Sequence, residues 1–220
     1  MPMRAHVTQV METPPYLHAK RGMALARLEG VMSDQVQQSA GRMMAPNAYP
    51  RNLQREVALK NGETLRIRPI RPDDEERLVE LYNRLSRQTA YQRFFTVRPH
   101  LPPDWFHYFA NVDYRRRLAL VAERETVAGV EVIGVGRYEA SGDEATGEVA
   151  FVLEDGYQGQ GLGAVLLDAI VRAGTERGLK RFRAYVLTEN HRMLRLLAHH
   201  TRIIERKTEQ GETTVLFEPR

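Results

Sequence analysis

The sequence predicts an α/β domain of roughly 155 residues, filling the chain from about position 62 to position 220. Strand-like and helix-like runs alternate through this region, which argues for layered α/β packing. Between one such strand and the next helix stands Tyr157-Gln158-Gly159-Gln160-Gly161-Leu162-Gly163, a turn with glycine on alternate positions. Residues 1–61 differ in kind: they are rich in Met, Gln, Ala and Pro, and Pro14-Pro15, Gly22, Gly30, Gly41 and Pro46 interrupt any pattern. They read as a weakly ordered extension with at most a marginal helix from Met23 to Gln38.

Thr64 to Ile70 alternates as a strand. Arg71-Pro72-Asp73-Asp74-Glu75-Glu76 then opens a helix with acidic residues in its first turn, where they complement the helix dipole, and Leu78, Leu81 and Leu85 follow at helical spacing. Gly147 to Leu153 is apolar apart from one carboxylate, and strand alternation sets Glu148, Ala150 and Val152 on one face and Val149, Phe151 and Leu153 on the other. Leu162 to Glu176 repeats apolar residues at helical spacing, with Gly178 as its stop. Arg181 to Leu187 reads as a short strand, and Asn190 as the N-cap of a helix over Met193 to His199.

The glycines of the turn strip side chains from one edge, so that backbone N–H groups at the start of the following helix can meet an anion. Two familiar phosphate motifs are excluded. A dinucleotide fingerprint would want an acidic residue about 20 positions on, where this chain has Lys180, Arg181 and Arg183. A Walker loop would end Gly-Lys-Ser/Thr, and Gly163-Ala164-Val165 does not.

Gln158-x-x-Gly161-x-Gly163 instead resembles the Q/R-x-x-G-x-G/A element with which the GNAT superfamily of N-acetyltransferases holds the pyrophosphate of acetyl-CoA. Leu85-Ser86-Arg87-Gln88-Thr89-Ala90-Tyr91-Gln92-Arg93-Phe94-Phe95 is similar to the L-S-x-x-S-x-Y-x-R-F-F segment of bacterial Pat-type protein-lysine acetyltransferases, with Thr89 in place of serine. With Ile67 to Pro72 and Met193-Leu194-Arg195, the similarity runs from about Leu65 to Pro219.

The resemblance implies a mixed, mostly antiparallel sheet splayed at the acetyl-CoA site and flanked by helices. It implies Glu148, ten positions before Gln158, as general base. The backbone N–H of Val152 would stabilise the thioester oxyanion, with Val152 and Leu153 along the pantetheine. Gln158, Gly159, Gln160, Gly161, Leu162 and Gly163 would form the pyrophosphate cradle, with Asn190 on the pantetheine arm and Arg195, beside Arg192, near the 3′-phosphate. Capping alone also accounts for Asn190.

A base is needed because lysine, with a reference pKa of about 10.4, arrives protonated, and burial beside Ala150 and Val152 would raise the glutamate from about 4.3 toward the working range. The usual tyrosine acid falls on Leu197, which leaves solvent to protonate the CoA thiolate. Pat-type enzymes also tend to lack that tyrosine. The implied acceptor is a protein lysine. Acetylation of a small amine, and acetyl-CoA sensing without turnover, stay open as alternatives.

Zero cysteine rules out an acetyl-cysteine intermediate, a disulfide framework and a thiolate metal site, leaving direct attack in a ternary complex with no metal. A net charge of +4, with Arg115-Arg116-Arg117 as the tight basic run, makes a weak case for nucleic acid. That run reads as a solvated turn. With no apolar run near the roughly 18 residues of a membrane helix and no secretory h-region, a cytoplasmic protein is expected. The segment from Glu139 to Glu148, with Asp143 and Glu144, reads as an acidic rim for an incoming ammonium.

Overall fold

Among the described residues, period-two alternation is satisfied by eight strands that share one sheet. The computed structural model describes residues 48–96, 98–142 and 145–220. Its strands are β1 (Arg55–Ala58), β2 (Thr64–Pro69), β3 (Arg117–Thr126), β4 (Gly129–Ala140), β5 (Thr146–Leu153), β6 (Arg181–Leu187), β7 (Thr201–Glu209) and β8 (Glu212–Pro219). Their spatial order is β1-β2-β3-β4-β5-β6-β8-β7, and β5 with β6 is the parallel pair in an otherwise antiparallel sheet. The helices are α1 (Glu75–Arg84), α2 (Arg87–Phe94), α3 (Pro103–Ala110), α4 (Leu162–Glu176) and α5 (His191–His200).

Both faces of the sheet are covered, and alternation sorts the strand residues between them. Leu118, Leu120 and Val149 join Leu162, Leu166 and Ile170 of α4 in one core. Ala119, Val121 and Val152 join Leu81 of α1, Phe94 of α2 and Trp105 of α3 in the other. Leu166, Leu167 and Ile170 are fully buried, and each contributes on the order of 2 kcal/mol. That burial fixes the helix whose N-terminus carries the glycine turn.

The strands and helices expected from the sequence lie within a residue or two of their places. One helix is interrupted: α1 stops at Arg84, Leu85 is extended, and Ser86 Oγ accepts a hydrogen bond from Thr89 N–H to cap α2. The boundary at residue 62 is also corrected, because β1 pairs along β2 and Leu53 and Leu59 are buried in the core under α4. The sheet therefore begins inside the segment read as an extension. The marginal helix Met23 to Gln38 lies outside the described residues.

A buried ion cluster ties the α1 end to the sheet. Arg68 donates to both oxygens of Asp74, at 2.6 and 2.7 Å, and to Glu123 at 2.8 Å. Burial opposes ionisation of Asp74, but hydrogen bonds from Arg68, Arg71 N–H and Arg77 outweigh it and hold the carboxyl below its ordinary value.

Candidate active site

The one parallel pairing is short, and that makes the site. β5 and β6 are in register only at Thr146↔Arg181, Gly147↔Phe182 and Glu148↔Arg183, although both strands continue. Beyond Glu148 they part around a cleft of about 1100 Å³, lined by Glu148 to Leu153 on one side and Ala184 to Val186 on the other. A gap between strands leaves backbone donors and acceptors without a partner strand, which suits a bound chain carrying amide groups.

The ladder decides which donors face that gap. Ser141 N–H bonds Thr146 O and Glu154 N–H bonds Ile133 O, at the two ends of an unbroken β4–β5 register. Alternation in an antiparallel ladder then turns the N–H of Val152 toward its partner Val135, and those of Phe151 and Leu153 toward the cleft. This corrects the assignment of Val152 N–H to the oxyanion. Val152 and Leu153 both line the cleft.

The glycine turn closes one end of the cleft. Gly159 and Gly161 have φ of +80° and +97°, a left-handed backbone that side-chain-bearing residues rarely adopt. Among the described residues the five N–H groups from Gly159 to Gly163 have no backbone acceptor. The next donor, Ala164, bonds Gly161 O at 3.0 Å. Those donors sit at the positive end of α4's dipole, a site built for an anion.

Gln158, Gly159, Gly161 and Gly163 line the cleft. Leu162 is fully buried, so only its backbone can serve, and the Gln160 side chain turns back to donate to Gly156 O at 2.6 Å.

The Leu85 to Phe95 segment has a structural task beside this turn. Ser86 N–H, Ser86 Oγ and Thr89 Oγ1 all donate to Asp155, at 2.7 to 2.9 Å. Burial opposes ionisation of Asp155, yet these bonds outweigh it and hold its carboxyl below the ordinary value. Gln158 Nε2 donates to Thr89 Oγ1 and Leu153 O, while its Oε1 accepts from Arg192 at 2.6 Å. Gln158 thus locks the turn to α2, β5 and α5, and threonine serves at position 89 because only its hydroxyl is used.

Glu148 sits half-buried where the strands separate. On its side of the sheet, Arg93 and Arg137 both interact electrostatically with it. Burial pushes both guanidiniums below their ordinary values, with like-charge neighbours adding to the shift.

The acidic-rim reading fails at Glu139, which lies in β4, accepts both oxygens' hydrogen bonds from Tyr108 Oη and approaches Arg117 at 4.0 Å. Asp143 and Glu144 lie outside the described residues. The arginine run does not act as one solvated turn either. Arg115 and Arg116 are exposed, whereas Arg117 begins β3 with its guanidinium 3.6 Å from the Tyr108 ring centroid.

Asn190 caps α5, its Oδ1 accepting from Met193 N–H at 3.1 Å, which leaves the amide Nδ2 for the cleft it lines. Arg192 and Arg195 line the cleft nearby. Leu197 is fully buried, so no acid stands at that place. His199 and His200 reach the cleft, but their Nδ1 atoms face Arg195 O and Asp168.

Sequence reasoning missed Tyr185 and Lys60, which also line the cleft. Tyr185 is one of several alternating strand residues with nothing to mark it, and Lys60 lies in the segment assigned to the extension. Its Cε lies 4.0 Å from where a Cβ on Gly161 would stand.

Comparison with known proteins gives the family of a domain built on a splayed β5–β6 pair closed by a glycine turn. The family model described as "Acetyltransferase (GNAT) domain" matches residues 64–200, so the chain belongs to the GNAT acetyltransferases. It is 34% identical over 142 residues to Acetyltransferase Pat of Mycolicibacterium smegmatis, covering 64% of this chain and 42% of that protein. It is 32% identical over 124 residues to Acetyltransferase PA5475 of Pseudomonas aeruginosa, covering 56% of this chain and 67% of that protein. The crystal structure of the GNAT domain of S. lividans PAT superposes with a TM-score of 0.70 at 34% identity, covering 77% of this chain and 99% of that one. The chain spans less than half the length of the mycobacterial Pat protein.

Proposed function

We propose that the protein transfers the acetyl group of acetyl-CoA to lysine side chains of other proteins. The observation that carries the reading is the placement of Glu148 at the point where β5 and β6 separate, with five backbone N–H groups of the glycine turn at the far end of the same cleft. The pyrophosphate binds Gly159 to Gly163, with Gln158 bracing the turn and Lys60 adding a cation. The pantetheine adds as a strand along β5, its amides meeting Leu153 and the Asn190 side chain, and Arg192 and Arg195 hold the 3′-phosphate.

Phe151 N–H, about 10 Å along the strand from Glu148 at roughly 3.3 Å per residue, takes the oxyanion role. Glu148 accepts a proton from the lysine ammonium, directly or through one water. The freed Nζ attacks the thioester carbon, the C–N bond forms and the nitrogen sheds its second proton to solvent, the C–S bond breaks, and CoA leaves as a thiolate that solvent protonates. Acetyl-CoA as substrate fits a cytoplasmic setting.

Support for a protein acceptor comes from the Pat relatives and from the Pat-like segment 85–95, whose residues brace the cradle. The test is to incubate the purified chain with acetyl-CoA and a cell lysate and read acetyl-lysine on proteins, beside Glu148→Gln. Acetyl-lysine that appears with the wild type and not with the variant supports the reading. Bound acetyl-CoA with no transfer to any amine refutes it in favour of a sensor, and transfer confined to small amines refutes the protein acceptor.

A further inference from the structure

The side of the sheet that carries Glu148 holds a second, smaller cavity of about 40 Å³. It shares Arg93, Ala150 and Val152 with the main cleft, so the two adjoin at those residues, two of which flank Phe151 in β5. Its walls are aliphatic and aromatic, among them Leu81, Tyr82, Phe109 and Val135, and its charged groups are Arg93 and Arg137.

Arg137 is 7% exposed, stands across from Ala150 in the β4–β5 register, and has its Nη2 buried without a hydrogen-bond partner among the described residues. An unsatisfied buried donor costs on the order of 1 to 3 kcal/mol, and more on a charged group, so its retention calls for an explanation. Phe109 accounts for part of the environment, its ring centroid lying 4.8 Å from the guanidinium carbon, but a ring face does not satisfy an N–H aimed elsewhere.

The charges around it do not balance. Arg93, Arg117 and Arg137 face Glu139 and Glu148, three cations against two carboxylates, and Glu139 is already engaged by Tyr108 and Arg117. Among these described groups the surplus is one positive charge, in the wall of a cavity that adjoins the main cleft.

We propose that this cavity is an acyl subsite that admits a carboxylate-terminated acyl group, as in succinyl-CoA, with the terminal carboxylate on Arg137. The proposal rests on the acetyl-CoA reading of the main cleft. A succinyl chain places its carboxylate three C–C bonds, about 4 Å, beyond the thioester carbon, and the cavity offers space for more than one water-sized group. The step keeps the same balance as acetyl transfer: the ammonium gives one proton to Glu148 and then solvent, the lysine Nζ bonds the thioester carbon and sheds a second proton to solvent, the C–S bond breaks, and solvent protonates the thiolate to give succinyl-lysine plus CoA. A lysine amine is thereby exchanged for an acid, a charge change of two where acetylation changes it by one.

The test is calorimetric titration of the full chain with acetyl-CoA, butyryl-CoA and succinyl-CoA, the last two equal in chain length and different in the carboxylate. Succinyl-CoA is expected to bind at least about tenfold tighter than butyryl-CoA, in line with a charge-assisted hydrogen bond. Arg137→Met should abolish that preference, Arg137→Lys should retain most of it, and acetyl-CoA affinity should stay within about twofold in both.

If acetyl-CoA binds and succinyl-CoA is no better than butyryl-CoA, the subsite is overturned while the acetyltransferase reading stands. If Arg137→Met leaves donor preference alone and instead raises KM for a peptide with glutamate beside its lysine, the cavity serves the acceptor and the proposal fails. Failure of acetyl-CoA itself to bind refutes both readings.

Discussion

Replacing Gly161 by valine tests the cradle where its geometry is least replaceable. The φ of +97° is strained for any side-chain-bearing residue, at a cost of roughly 1 to 3 kcal/mol and toward the upper end for a β-branched one. Space is not the obstacle, because among the described residues, chain neighbours aside, the added Cβ meets Lys60 Cε alone, at 4.0 Å. The backbone therefore relaxes by turning a peptide plane next to residue 161, and at least one N–H leaves the phosphate. A hydrogen bond to a charged group contributes about 1.5 to 3 kcal/mol, so acetyl-CoA affinity should fall roughly tenfold to a hundredfold. The fold should persist, since Leu166, Leu167 and Ile170 keep α4 seated. Calorimetric titration with acetyl-CoA reads the loss, and Gly156→Ala is the control, at a glycine with open space and no positive φ. A Gly161→Val protein that is folded and binds acetyl-CoA within about twofold of wild type would refute the backbone cradle.

Glu148→Gln should lower kcat by roughly 10²- to 10⁴-fold with acetyl-CoA affinity little changed, and higher pH should restore part of the rate as more lysine arrives neutral; a variant of equal activity would make Glu148 structural. Lys60→Ala should weaken acetyl-CoA by no more than about fivefold and flatten the salt dependence of binding, because an exposed cation adds at most about 1 kcal/mol; unchanged salt dependence would remove Lys60 from the site. Asp74→Asn should cost about 3 kcal/mol in denaturant unfolding by breaking the buried cluster with Arg68. Because the folded Asp74 pKa is lowered, its stabilisation is present above the unfolded value of 3.8 and is lost as pH falls below it. A wild-type stability curve that instead declines on raising pH from 4 to 6 would contradict that sign.

The glycine turn, the following helix and the carboxylate ten residues upstream were legible because each depends on local chemistry. Gly161 must be glycine for its backbone angle, Leu162 to Glu176 carries its own period, and Asn190 caps the helix it begins. The base of the cleft was harder to read. Alternation assigned the side chains of Glu148 to Leu153 to their faces, yet the direction of each N–H depends on which strand lies beside it and in what register. That is why Val152 gave way to Phe151 and Leu153.

Sequence by itself determined the α/β class, the family resemblance and the place of the glycine turn, because these rest on residues within one turn or one period of each other. Tertiary structure alone decided where β5 leaves β6, that β1 and Lys60 belong to the domain, and that Ser86 and Thr89 brace Asp155 from 66 to 69 residues away. It also left the Nη2 of Arg137 buried without a hydrogen-bond partner among the described residues. The reason is physical: a strand's pairing, and whether a buried charge finds a partner, depend on groups distant in the chain, and no local pattern encodes that distance.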